Sequence, residues 1–349
     1  MTNSSNPLIS FVLLAYKQEK YIREAVEGAF AQTYSPLEII LSDDASPDST
    51  FEIIQEMAAT YQGPHKLILN RNETNLGVGR HVEKAFHMAS GEWLVGAAGD
   101  DISLPHRCQR LMDEILSSES SPLGIASAWT SIDEQGSEIP GTTQTQDWYE
   151  RIRKSPKHLG IEGCRSVLCD GMTQLSGCSA MWSRRLIHEW PPLMKNTTCE
   201  DQILSCRALL TGTLIHLPDA LVLYRTHPDS LTNFVSSNSR KAKTLAEWLK
   251  GESHANAILR SFQQFMADLN HFELTHKITC DEALEISSIR KRMEFLEQEI
   301  EWRGLSTTER FGRWLKNHSK ETSFSRRLMA LRHVLPQYLI IRIKHTLGR

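Results

Sequence analysis

Short apolar runs alternate with amphipathic stretches through residue 224. Residues 8–14, 37–41, 66–70 and 93–98 are apolar and partly β-branched, and each reads as a buried strand. Between them, apolar positions recur at helical spacing. Ile22, Val26, Ala29 and Phe30 form one stripe, and Val82, Ala85, Phe86 and Ala89 form another. Residues 51–54 start a helix behind a loop rich in capping residues. Leu111, Met112, Ile115 and Leu116 mark a further one. Residues 124–129 and 177–182 read as additional strands, and residues 214–217 and 220–224 as two final short ones. Residues 132–136 look like a hairpin turn. Strands alternating with helices of about a dozen residues predict βαβ units, hence an α/β fold with a mainly parallel sheet.

The alternation then stops. Residues 239–271 carry apolar positions at helical spacing and predict a long amphipathic helix. Ile286, Ile289, Met293, Leu296 and Ile300 follow a 3, 4, 3, 4 spacing on a second, charge-rich helix. Two heptads leave two readings open: packing against the preceding helix, or pairing with a second copy in a homodimer. The pattern divides the chain into a domain at 1–235 and a helical C-terminal region at 236–349. Residues 141–170 are polar and poorly periodic, and read as a long insertion.

Charge sharpens this division. From residue 305 onward, ten Lys/Arg face only Glu309 and Glu321, a net +8. The whole chain carries −3, so the remainder carries −11. In the tail, Phe311, Trp314, Leu315 and Leu328 interleave with the basic residues, and residues 338–344 add aliphatics. That mixture suits a helix lying on an anionic bilayer, or a helical cap with its apolar stripe on the first domain. Nucleic acid is not expected, because the basic run is confined to the terminus. No apolar run approaches the roughly 20 residues of a membrane span. The N-terminus lacks the basic and apolar regions of a signal peptide. The seven scattered cysteines match no common zinc spacing and read as free thiols, so a cytoplasmic protein is expected.

Three predicted strands end in polar or acidic clusters. The first ends at Ala15-Tyr16, the second at Asp43-Asp44, the fourth at Gly99-Asp100-Asp101. In a parallel sheet, loops after strand C-termini share the edge where ligands bind. Paired carboxylates there supply strong acceptors and hard oxygen ligands. A fourth acidic pair, Glu200-Asp201, sits at a helix start behind Thr198, where the helix dipole alone also favours acids.

The order of these landmarks resembles the inverting family 2 glycosyltransferases of the GT-A fold. The resemblance covers residues 8–231 and rests on five pieces. These are the strand ending at Tyr16, the run Ser42-Asp43-Asp44-Ala45-Ser46-Pro47-Asp48-Ser49-Thr50, Asn75-Leu76-Gly77, Gly99-Asp100-Asp101 and Glu200-Asp201. It implies a Rossmann-like, mostly parallel mixed sheet flanked by helices, with a C-terminal helical extension. The 1–235 domain then binds a nucleotide-diphospho-sugar and catalyses transfer with inversion to a hydroxyl of a glycan or lipid-linked acceptor. Residues 141–170 would lie on the acceptor side. The enzyme would work in the cytoplasm, at the inner face of a membrane where the tail contacts lipid.

Residue by residue, the resemblance implies a donor site of Ala15, Tyr16, Asp43, Asp44, Asn75, Gly77, Asp100 and Arg207. Asp44 comes first and Asp43 second for reading the base. It implies a Mn²⁺ or Mg²⁺ ion held by Asp100, with Asp101 and His227 as helpers. The family's Asp-x-Asp motif is degenerate here, since its first position is Ala98. Asp201 matches the catalytic base, and Glu200 would orient the acceptor or the loop. Two rivals are a catalytically inactive glycan- or nucleotide-binding relative, motivated by Ala98, and a nucleotidyltransferase on a similar sheet. The latter wants a glycine-rich basic loop after the first strand, and Ala15-Tyr16-Lys17-Gln18 is not one.

Overall fold

β1 (Ile9–Ala15), β2 (Leu37–Asp43), β3 (Lys66–Arg71) and β4 (Trp93–Ala98) form where the four apolar runs place them. Between them lie α1 (Ile22–Phe30), α2 (Thr50–Thr60) and α3 (Val78–Met88). The computed structural model describes residues 6–140, 161–170, 175–195, 197, 199–228, 230, 245–276, 283–304 and 309. Residues 141–160 of the polar insertion, the cap Thr198 and the tail beyond 309 lie outside the described residues.

The four strands pair in parallel in the order β3-β2-β1-β4. Side chains alternate across β1. Ile9, Phe11, Leu13 and Ala15 join a core with Ile22, Ala25, Val26 and Ala29 of α1 and Ile54 and Met57 of α2. Cys108, Leu111, Met112 and Ile115 of α4 (Arg107–Ser117) complete that layer. Val82 and Phe86 of α3 are also buried, so apolar residues of helix and strand exclude water together.

The sheet continues through β7 (Ala180–Ser183), β6 (Pro122–Ile132), β8 (Thr213–Arg225) and β5 (Ile102–Ser103). β7 runs antiparallel to both β4 and β6, while β6 and β8 are parallel. The sheet is therefore mixed, with helices α5 (Ile161–Arg165), α6 (Arg185–His188) and α7 (Glu200–Thr211) in the second half.

Three expectations need correction. The two final short strands are one 13-residue strand, β8. Pro218 and Asp219 interrupt the apolar pattern, but the pairing with β6 skips them: Ser127 faces Leu217 and Ala128 faces Ala220. A bulge accommodates a proline that an unbroken ladder would reject. The strand expected at 177–182 begins only at Ala180, because Gly177–Ser179 form a 3₁₀ turn. β5 was not predicted; two residues are too few for a periodic signal, and only pairing with Val222 and Leu223 makes them a strand. The hairpin turn does form, with Asp133 N–H donating to Ser137 O at 2.9 Å and Gly136 at φ 84°.

Contacts group Met1–His227 with Arg260–Ile289 in one unit, and Pro228–Leu259 with Arg290–Arg349 in another. Both long helices form, α8 (Leu245–His276) and α9 (Ala283–Gly304). Among the described residues no helix is long and apolar enough to cross a membrane. In the first unit, α8 buries Phe262, Phe265, Leu269 and Phe272 at helical spacing. Its Asp268 pairs with Arg207 of α7, Oδ2 to Nε at 2.7 Å and Oδ1 to Nη2 at 3.0 Å. Both side chains are almost wholly buried, at 1% and 2% exposure. Gln264 donates to the same carboxylate at 2.9 Å. A buried pair broken on one side leaves an uncompensated charge. Asp268→Asn is therefore expected to lower unfolding free energy by about 3–5 kcal/mol, read by urea denaturation. A loss under about 1 kcal/mol would mean the pair does not hold α8.

Candidate functional site

Parallel pairing ends β1, β2 and β4 at one level. Ala15 stands opposite Asp43, and Leu14 opposite Ala98. The loops that follow share one sheet edge. Two non-glycine residues there adopt left-handed backbone, Lys17 at φ 57° and Ala45 at φ 60°. Such conformations cost about 1–3 kcal/mol each and cluster at binding loops. Tyr16 is exposed at this edge, with the Lys17 ammonium 5.1 Å from its ring centroid. The Ala15 carbonyl accepts from Asp44 N–H at 2.9 Å, locking the first loop to the second.

The two aspartates of the second loop differ in what they hold. Asp44 is buried and its carboxylate is filled by protein. Oδ1 accepts from Asn72 Nδ2 at 2.8 Å and Leu76 N–H at 2.9 Å, and Oδ2 accepts from Gly77 N–H at 3.0 Å. Asn75 Nδ2 reaches the Asp44 carbonyl at 3.4 Å. Asp44 thus clamps the Asn75–Gly77 turn that starts α3. Gly77 sits at φ 77°, where a side chain would be strained. Asp43 uses Oδ1 for Ser46 N–H at 2.9 Å, with Arg71 Nε at 3.7 Å. Its Oδ2 is buried with no hydrogen-bond partner. Of the two aspartates that the resemblance offers for the base, Asp43 keeps a buried oxygen with no protein partner, whereas both oxygens of Asp44 accept from the protein.

The fourth strand delivers Asp100 and Asp101. Asp100 Oδ2 meets His227 Nε2 at 3.0 Å. Asp101 turns inward, where Oδ1 accepts from Arg225 N–H at 2.9 Å and Oδ2 is buried without a partner. Burial, then the neighbouring Asp100 charge, push the Asp101 carboxyl well above its usual range. The Cys178 thiol meets the same carboxyl. Asp101 thus props the turn through Oδ1 and keeps Oδ2 without a hydrogen-bond partner.

The Glu200-Asp201 pair arrives from α7. Gly177 connects it to the strand edge. A Cβ on Gly96 of β4 would lie 2.6 Å from the Gly177 carbonyl, and a Cβ on Gly177 would lie 3.2 Å from Glu200 Oε1. Glycine at both places lets strand, turn and helix start approach. The same Cβ on Gly177 would lie 3.8 Å from the Asp201 Cβ, and Asp201 Oδ1 accepts from Gln202 N–H at 2.8 Å. The adjacent residue, Cys178, touches Asp101. The 177–178 turn therefore brings both acidic clusters to one place. Burial and the Asp201 charge push Glu200 up to about 8. Burial pushes Asp201 up to about 6, although backbone donors oppose it. Both carboxyls of the pair therefore hold protons more readily than free carboxylates do.

Arg207 does not join the site. Besides Asp268, its guanidinium donates to Leu186 O at 2.9 Å and Pro191 O at 2.7 Å, and it stacks on Trp190 at 5.5 Å. These bonds leave it no role at a phosphate; its place inside α7 predicted only that it lies near the acidic pair. Arg80, on α3, is paired with Glu83 at 2.8 Å. Sequence reasoning missed three contributors. His81 is buried behind the edge loops with Nε2 2.7 Å from Ser42 Oγ. Arg107 is buried beneath β4, donating to Gly96 O at 2.8 Å and Ser103 Oγ at 2.8 Å. Arg225 anchors the Asp100-Asp101 turn. Only Arg225 carried a signal, its position two residues before His227.

Among the described residues no three His, Cys, Asp or Glu side chains gather closely enough to cage a metal. The donor set still suits a hard cation brought in with a diphosphate. Mg²⁺-like ions take one or two protein oxygens and complete their shell with phosphates and water. Asp100 supplies such an oxygen at the sheet edge, beside the His227 imidazole.

Comparison with known proteins follows the same lines. Residues 10–166 match the profile of Glycosyl transferase family 2. An uncharacterized Mycobacterium tuberculosis protein is 27% identical over 237 residues, 67% of this chain and 63% of that relative. The chain thus spans less than two-thirds of the length of this relative. The putative glycosyltransferase EpsE of Bacillus subtilis is 34% identical over 107 residues, 31% of this chain and 38% of EpsE. The structure of a Pyrobaculum calidifontis mannosyltransferase in complex with GDP-Man and Mn²⁺ superposes with a TM-score of 0.53. It covers 99% of this chain and 89% of its own, at 13% identity. At that identity the likeness shows the fold alone.

The raised Glu200 carboxyl has a stability consequence. The folded protein keeps a proton that the unfolded chain releases as pH rises from 4.5 to about 8. Folding is thus progressively disfavoured across that window. Glu200→Gln cannot lose this proton. Its melting temperature relative to wild type should climb from pH 4.5 to about 8 and then level off. A difference that stays flat across the window would mean Glu200 titrates normally.

Proposed function

We propose that this chain, whose residues 10–166 match Glycosyl transferase family 2, moves a sugar from a nucleotide-diphospho-sugar to an acceptor hydroxyl with inversion. One observation carries the reading. The 177–178 turn joins the Glu200-Asp201 pair to the Asp100-Asp101 turn at the edge where β1, β2 and β4 end. A base and a diphosphate site are needed side by side for in-line displacement.

In this reading the nucleobase lies against the Asp43 loop. The unpartnered Asp43 Oδ2 accepts from an N–H of the base, and filling a buried orphan acceptor recovers its desolvation cost. Tyr16 supplies a rim. Asp44 acts indirectly, by holding the Asn75–Gly77 turn. Asp100 and His227 would hold a divalent cation, Mn²⁺ or Mg²⁺, and its charge would offset that gathering on the leaving diphosphate. The P. calidifontis mannosyltransferase, which has this fold, was solved with GDP-Man and Mn²⁺.

Asp201 is the general base. The acceptor oxygen attacks the anomeric carbon, the bond from that carbon to the diphosphate oxygen breaks, and the acceptor proton passes to the Asp201 carboxylate. A base displaced to about 6 is ionised at neutral pH yet holds a proton more readily than an ordinary aspartate. Protonated Glu200 leaves one negative charge on the pair and offers a donor to the acceptor sugar. A glycan or lipid-linked acceptor, and contact of the basic tail with the inner face of a membrane, complete the proposal.

Asp201→Asn should lower transfer by about 10²–10⁴-fold while donor affinity stays near wild type. Wild-type turnover should rise as pH climbs through about 6. Full activity in the asparagine variant would sink the base assignment; donor hydrolysis or transfer by wild type separates an enzyme from an inactive binding relative. Titration calorimetry with UDP and GDP, with and without Mn²⁺, tests the cation. Equal affinities in both conditions, or an unchanged Mn²⁺ effect in Asp100→Ala, would refute it.

A further inference from the structure

Arg225 ends β8 two residues before His227, and its side chain is fully buried. A buried guanidinium must be paired and hydrogen-bonded to persist. Here the bonds reach three separate segments. Nε donates to the Asp100 carbonyl at 2.9 Å. Nη1 donates to the carbonyls of Asp133 and Glu134 at 3.1 Å each, in the hairpin turn after β6. Nη2 pairs with Glu24 Oε2 of α1 at 2.9 Å. The main-chain N–H of Arg225 also donates to Asp101 Oδ1 at 2.9 Å. The guanidinium lies 4.9 Å from the Tyr21 ring centroid, and that ring lies 4.9 Å from the imidazole of His227.

Both residues of the acidic turn are therefore anchored to one residue of β8, and the same residue's stacking partner supports His227. The Asp100 Oδ2 to His227 Nε2 distance of 3.0 Å spans two elements far apart in sequence. Ala98 supplies no carboxylate, so no neighbouring acid on β4 shares the work of orienting Asp100. We propose that Arg225 is a positioning residue: its planar fork sets Asp100 against His227 and so presets the protein side of the divalent-cation site. The inference rests on the cation reading given above.

A lysine keeps the charge but cannot bond Asp100, the hairpin and Glu24 at once. Arg225→Lys in the full chain is read in two ways. In metal-free protein, the ring ¹⁵N resonances of His227, assigned with His227→Gln, report its contact with Asp100. Mn²⁺ titration by electron paramagnetic resonance, with UDP or GDP present, reports the assembled site. The variant should shift the His227 resonances and weaken Mn²⁺ binding by about 10–100-fold, the usual effect of losing a partner behind a metal ligand. Folded Arg225→Lys with wild-type resonances and wild-type Mn²⁺ affinity would overturn the proposal. If Arg225→Lys does not fold, Glu24→Ala removes one brace from the half-exposed side and should move both readouts in the same direction by less. Unmoved His227 resonances there would overturn it equally. Shifted resonances in a protein whose wild type binds no Mn²⁺ would uphold the positioning role and refute the cation reading.

Discussion

The parallel register of β1 with β2 and β4 is the constraint on which the site depends. Pairing Ala15 with Asp43 and Leu14 with Ala98 brings three loops, separated by up to 80 residues of chain, to one level. A shift of one residue would turn every side chain to the opposite face. It would exchange Phe11 and Leu13 for Ser10 and Val12 in the layer beneath α1. The apolar layer and the acidic edge are therefore secured together: the core cannot keep its register without delivering the carboxylates.

Gathering carboxylates there is unfavourable, and the molecule handles each one differently. Asp44 is satisfied by two backbone N–H groups and Asn72, so it stabilises a turn. Asp43 and Asp101 each retain a buried oxygen without a partner. Glu200 and Asp201 respond by holding protons more tightly than free carboxylates do. Identical residue types thus end in different states: Asp44 clamps a turn, Asp43 and Asp101 each keep a buried open oxygen, and Asp201 is raised beside Glu200. Burial and the number of backbone donors, not residue identity, separate these roles.

Buried arginines supply the opposite charge. Arg107 supports β4 from beneath, Arg207 ties α7 to α8, and Arg225 joins the acidic turn to α1 and the hairpin. Each draws on several acceptors arranged around a planar group. Arg207 illustrates how near a helix position can lie to an acidic pair while its own side chain bonds elsewhere. It follows the acidic pair by two turns of α7, yet its guanidinium faces Asp268.

The alternation of apolar runs by itself determined the first four strands, the helices between them and the edge to which Asp43, Asp100 and the first loop would come. These features are local, because periodicity and capping chemistry act within a dozen residues. The acidic pair at Glu200 was likewise legible as a helix start. The tertiary structure alone decided that β8 is one strand across Pro218, that Gly177 packs against Glu200 and Asp201, that Asp44 faces its own protein while Asp43 keeps an open oxygen, and that Arg225 bonds the Asp100-Asp101 turn while Arg207 pairs with Asp268. Each of those outcomes turns on contacts between residues far apart in sequence. Hydrogen-bond partners and desolvation are set by what packs nearby, and no local pattern of residues records that.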